Sequence, residues 1–111
     1  MAGIIGAAGN NGSAIAGINW VSGVVPVRAL GRCGGYTSDI VDVMRWAAGI
    51  SVPGVPANPH PARMQNLSLG GAGACSSSFH SAIDGVTARG TVVVVAAGND
   101  NTDAGSTQPA S

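Results

Sequence analysis

Charge is what this chain has least of. Asp, Glu, Lys and Arg make up 9% of its 111 residues, against roughly 25% in soluble domains, and they cancel to a formal net charge of zero. Without an excess of positive charge there is no electrostatic footprint for nucleic acid or for an anionic membrane surface. Long apolar runs are also missing: no segment reaches the ~18 residues expected of a membrane span. Met1 to Ala8 has neither a basic n-region nor a full apolar h-region, so no signal peptide is expected within the chain. Cysteine occurs only twice, as Cys33 and Cys75. Both stand in Gly/Ser-rich loops, far apart, which is no zinc signature. The pair is compatible with a disulfide or with two free thiols, and a bridge would contribute on the order of 4 kcal/mol in the chain-entropy view.

Small and apolar residues take the place of charge. The apolar fraction is 45%, and there are 18 glycines without a collagen period or a low-complexity tract. The length suits one small domain with one core, taken as residues 1–111. So few charges leave few solvated faces, which predicts that surface is hidden, either inside something larger or in a homo-oligomer.

The order of elements is legible. Residues 2–8 read as the end of a helix, broken by Asn10-Asn11-Gly12-Ser13. Val24 to Leu30 reads as a strand, although Pro26 donates no ladder hydrogen bond. Ser38 is expected to cap a helix through residue 48, with Asp39 in its first turn and Ile40, Met44, Ala47 and Ala48 on one face. Gly49 is its stop. Four prolines between Ser51 and Pro61 mark a surface loop. Met64 to Leu69 is a second strand. Ser77 or Ser78 is expected to cap a helix with Phe79, Ala82, Ile83 and Val86 as its stripe, ending at Arg89-Gly90. Thr91 to Ala97 is an unbroken apolar run, as in a strand buried on both faces. The tail from Asp100 to Ser111 is expected to hold no closing element. Strand, helix, strand, helix, strand predicts an α/β fold in three layers: a parallel sheet of at least three strands with crossover helices.

Chemistry in such sheets gathers where the strands end. The three ends here are Leu30-Gly31-Arg32, Leu67-Ser68-Leu69-Gly70-Gly71 and Ala96-Ala97-Gly98-Asn99. Glycines at two of them allow another backbone to approach, which describes a groove for an extended peptide. An Asn amide at Asn99 can donate to charge developing on a substrate oxygen, while Gly98-Asn99 reads equally as a turn. His60 in the Pro-rich loop, and His80 four residues before Asp84 on a helix, read as surface residues rather than catalytic bases. Ser68 lacks the Gly-x-Ser-x-Gly context of a nucleophile elbow. Neither Gly31–Gly35 nor Gly70–Gly73 holds a dinucleotide fingerprint or a P-loop lysine, which argues against a nucleotide-binding module.

Asn66-Leu67-Ser68-Leu69-Gly70-Gly71, followed after a helix by Val92 to Asn99, resembles the central part of a subtilisin-like serine protease of the subtilase (S8) family. Ala2 to Ala7 resembles the helix after that family's catalytic histidine, and Val25 to Gly31 its next strand. The resemblance covers nearly the whole chain and implies a single partial peptidase domain. It implies Asn99 as the side-chain donor of the oxyanion hole, and Ser68-Leu69-Gly70 as the ribbon that pairs with substrate backbone. Gly70, Gly71, Ala96, Ala97 and Gly98 would wall the pocket for the residue before the scissile bond, with Gly34, Gly35 and Tyr36 as the opposite rim. It also implies a Cys33–Cys75 disulfide, as in secreted bacterial members.

The family's Asp, His and Ser would fall outside these 111 residues, so the expectation is a protease fragment without proteolysis of its own, associating with itself. The alternative is residual or oligomer-assembled peptidase or esterase activity. The expected partners are a peptide or protein substrate and a second copy of the chain. No cofactor and no resident metal is expected. Asn10 and Asn11 fall near a calcium loop of some members, but two amides without a carboxylate are a weak site for a hard cation.

Overall fold

A computed structural model describes all 111 residues. The chain runs α1 (Ala2–Gly6), α2 (Thr37–Ala47), β1 (Met64–Leu67), β2 (Gly71–Ala72), α3 (Ser77–Thr87), β3 (Val92–Val95), a 3₁₀ turn (Ala104–Ser106) and β4 (Thr107–Gln108). β1 and β3 pair in parallel, from Met64 opposite Val92 to Leu67 opposite Val95. The segment between them carries α3 as the crossover, as parallel neighbours require. α2 and α3 lie against each other, and the core forms between them and the sheet. Ile40, Met44 and Ala48 meet Phe79, Ala82, Val86 and Leu67 there, with Val93, Val95 and Ile83 partly buried against them.

The helices form where expected but begin differently. α2 starts after Tyr36, in extended backbone with no side-chain cap. Ser38 is therefore inside the helix rather than capping it. Asp39 in the first turn and Arg45 in the last both complement the helix dipole. α3 is capped by Ser76, one or two residues before the expected Ser77 or Ser78; its hydroxyl accepts from the Phe79 amide at 3.4 Å. Gly49 ends α2 at φ +79. A Cβ there would stand 2.9 Å from Pro61 Cγ, so the proline loop closes against the helix end only over a glycine. Asn58 fastens that loop, its amide donating to the carbonyls of Trp46 and Ala47 at 3.2 Å each.

Three expectations of the sheet are corrected. Val24–Leu30 joins no ladder, so the parallel sheet has two strands rather than at least three. Pro26 lacks the amide that a ladder would use. β3 is covered on one face only: Val93 and Val95 face the core, while Val92 and Val94 are 54% and 44% exposed. An unbroken valine run satisfies either arrangement, so the residues alone did not distinguish them. The tail does close on the fold, because β4 pairs antiparallel with β2, Gly71 opposite Gln108 and Ala72 opposite Thr107.

The chain is less compact than its length allows. Its accessible surface is 7465 Å², where a folded monomer of its mass exposes about 5,500 Å². Its radius of gyration is 15.0 Å, against about 13 Å for a domain of this length. It makes 45 backbone–backbone hydrogen bonds, where about 75 are usual. Ile18, Val21 and Trp20 are among many large apolar side chains in water.

Candidate active site

Parallel pairing puts the carboxyl ends of β1 and β3 on one side. Their register continues one step past the strands, where the Ala96 amide donates to the Leu67 carbonyl at 3.2 Å. The backbones then part, one into Ser68-Leu69-Gly70, the other into Ala96-Ala97-Gly98-Asn99. Asn66 Nδ2 donates to Ser68 Oγ at 2.8 Å, tying the seryl side chain back to its own strand. Gly98 turns at φ +88, a conformation that L side chains rarely adopt, and delivers Asn99 exposed beyond it.

A cavity of about 250 Å³ opens between these ends. Ser68, Leu69, Gly70 and Gly71 line one side, and Ala96, Gly98 and Asn99 the other. Thr107 of β4 completes it. The Thr107 methyl would lie 3.5 Å from a Cβ at Gly70 and 3.5 Å from one at Gly98; it is wedged between two glycines and buried. β4 is presented by a turn in which the Asp103 carboxylate accepts from the Gly105 amide at 2.8 Å. Beyond β2, the Gly73 amide donates to the Ser106 carbonyl at 2.8 Å. Two further lining residues were not foreseen, Ala72 and Asp100. The signal that could have found Asp100 is its position next to Asn99. Thr107 had no local signal, because only the β2–β4 pairing brings it there.

Other expected site residues lie elsewhere. Ala97 is exposed and does not line the cavity. Gly34, Gly35 and Tyr36 also stand outside its lining. They belong to a turn closed by the Gly31 amide on the Gly34 carbonyl at 2.7 Å, and Tyr36 is 79% exposed at the start of α2. The expected disulfide is absent: Cys33 and Cys75 are free thiols. Cys33 is exposed in that same turn, while Cys75 packs against the hydrophobic core. Asn10 and Asn11 form a turn, with Asn10 at φ +54 and Asn11 Oδ1 accepting from the Ser13 amide at 3.1 Å. Neither His60 nor His80 lines the cavity. A larger cavity of about 540 Å³, lined by Val41, Arg45 and Ile50 and by the serines and Ala82 of α3, shares no residue with the first. It is a groove on the helical side, away from the strand ends.

Residues 1–111 match the profile of peptidase S8, the Subtilase family. The chain is 50% identical over 111 residues to an extracellular basic protease of Dichelobacter nodosus, covering all of this chain and 18% of that protein. It is 50% identical over 110 residues to an extracellular protease of Xanthomonas campestris pv. campestris, covering 99% of this chain and 19% of that protein. A solved protease structure from Pseudoalteromonas arctica PAMC 21717 superposes with a TM-score of 0.95 at 53% identity, over 97% of this chain and 32% of that one. The chain thus spans about a fifth of the length of the curated relatives it matches.

Proposed function

The chain belongs to the subtilase family, and on that premise we propose that its 111 residues supply the oxyanion-stabilising amide and part of the substrate groove of a secreted serine endopeptidase. The observation that carries the proposal is the cavity at the carboxyl ends of β1 and β3, where Asn99 faces Ser68-Leu69-Gly70. An extended peptide adds to the free edge of Ser68–Gly70 through backbone hydrogen bonds. The side chain before its scissile bond enters between Gly70-Gly71 and the Ala96 and Gly98 side of the cavity, with Gly34, Gly35 and Tyr36 as a farther rim of the groove, outside the cavity lining. Asn99 then donates to the carbonyl oxygen as it gains negative charge.

The proton transfers need a nucleophile and a base at that carbonyl. Neither histidine of these residues lines the cavity, so Ser68, which accepts from Asn66, has no base beside it there. On their own, these 111 residues therefore bind peptide and do not hydrolyse it. The chain associates with itself, because its accessible area of 7465 Å² exceeds the monomer value by about 1,900 Å², more than twice the roughly 800 Å² that each partner buries in a standard protein interface. The relatives named as extracellular support secretion of the protein that uses this segment.

The test is peptidyl-ester turnover by the 111-residue chain and by Asn99→Ala, Ser68→Ala and His80→Ala. Equal background rates in all four are expected. A rate that falls with any one of them, and rises with chain concentration, would establish the alternative: a hydrolytic site assembled between copies.

A further inference from the structure

We propose that Asn11 is a self-modification site: in water its side-chain amide is lost, leaving aspartate or isoaspartate at position 11 and a negative charge on a chain whose formal net charge is zero. The reaction needs a backbone amide nitrogen free to attack the side-chain carbonyl of the residue before it. Gly12 supplies one. Its amide donates to no backbone carbonyl, and no atom stands within 4 Å of the place a side chain on Gly12 would take. Residues 10–16 are all exposed, so water and hydroxide reach the bond. The Ser13 amide donates to Asn11 Oδ1 at 3.1 Å, which draws electrons away from Cγ and stabilises the negative oxygen formed on attack. The site shares no residue with the strand-end cavity.

Gly12 N, after losing its proton to hydroxide, bonds to Asn11 Cγ. The Cγ–Nδ2 bond breaks, and ammonia leaves with a proton taken from water. Water then opens the succinimide that remains. Breaking the new Cγ–N bond gives aspartate; breaking the original peptide bond gives isoaspartate, with the main chain lengthened by one carbon. Aspartate keeps the turn, because a carboxylate accepts from the Ser13 amide more strongly than a carboxamide does. The change is contained, since the loop is closed behind it by the Gly17 amide on the Ala7 carbonyl at 3.0 Å and by Trp20 Nε1 on the Gly17 carbonyl at 2.9 Å.

The other asparagines lack this combination. Asn58 precedes Pro59, which has no N–H to lose. Asn66 is held in β1, opposite Val94. Asn19 Oδ1 accepts from the Val21 and Ser22 amides at 3.0 and 3.2 Å, and the residue that would attack it is Trp20, whose ring lies against Gly9. Asn10 is followed by the side chain of Asn11, and Asn101 by the β-branched Thr102, which crowds its own amide. After Asn99, the Asp100 carboxylate opposes deprotonation of the amide beside it.

The experiment incubates the folded 111-residue chain in ¹⁸O-labelled water at mildly alkaline pH, digests it at intervals and reads each asparagine by fragmentation mass spectrometry. Asn11 is expected to convert well before the others, into two products that carry ¹⁸O and separate on chromatography, at a rate that rises in proportion to hydroxide. One product should elute with the peptide of an Asn11→Asp chain. Isoelectric focusing should show one acidic step in parallel. Asn11→Ser, whose hydroxyl can still accept from the Ser13 amide, should remove that step. An Asn11 that stays unchanged, earlier conversion of any other asparagine, or an acidic step that survives Asn11→Ser would overturn the proposal.

Discussion

Thr107 and Asn99 occupy the same cavity, yet only one of them was legible in the sequence. Asn99 stands at the end of a valine run, where the local pattern announces a strand end. Thr107 sits in a polar tail with no periodicity, and its place depends on pairing with a segment far away in the chain. On the proposed reading of Asn99 as an oxyanion donor, Asn99→Ala in a full-length subtilase carrying this segment should lower kcat by about 10²–10³ with little change in KM. That range is the one measured for removing the equivalent donor in a subtilisin, carried over here rather than calculated. Steady-state kinetics on a peptide substrate checks it. Gly98 makes a second prediction at this scale. With φ +88, Gly98→Ala forces a side chain into a conformation that costs on the order of 1–2 kcal/mol and displaces Asn99. Urea denaturation should show the loss, and peptide binding should weaken with it. In the core, Met44 is 1% exposed, and Met44→Ala should destabilise by about 2–5 kcal/mol through the cavity it leaves.

At the scale of elements, periodicity located both long helices and placed their buried faces correctly, because Ile40, Met44, Phe79, Ala82 and Val86 recur at helical spacing. The caps were less legible. Ser76, Ser77 and Ser78 are chemically alike, and only the backbone decides which of them precedes the first helical turn. Ser76→Ala should cost about 1 kcal/mol, whereas Ser77→Ala and Ser78→Ala, on exposed positions, should stay within about 0.5 kcal/mol. Thermal unfolding of the three variants separates the cap from its neighbours. The strands divided differently. Met64–Leu67 and Val92–Val95 pair as their apolar character suggests, but Val24–Leu30 has the same character and pairs with nothing. β-propensity describes a side chain's fit to a half-buried surface and does not supply the neighbouring strand.

The molecule as a whole combines a shortage of charge with many large apolar side chains in water. The outer face of the β1·β3 sheet presents Met64, Val92 and Val94 to water, a patch of the kind that marks an interaction surface. Light scattering after size exclusion should find the 111-residue chain self-associated at micromolar concentration. A double Val92→Lys, Val94→Lys substitution should shift it toward monomer without abolishing its helical circular dichroism. A well-folded monomer at high concentration would contradict the self-association. The β2–β4 pair carries a different consequence. It is only two residues long on each side, and its strands stand farther apart in the chain than those of the β1·β3 pair, so it has few hydrogen bonds to offset the entropy of closing its loop. Hydrogen exchange should therefore be hierarchical: the Gly73 amide, bonded to Ser106, exchanges well before the amides at the centre of α2 and α3. A pocket whose floor can lift away while the helices hold would be ordered by its ligand, so peptide binding should slow exchange at residues 71–73 and 104–108 more than anywhere else.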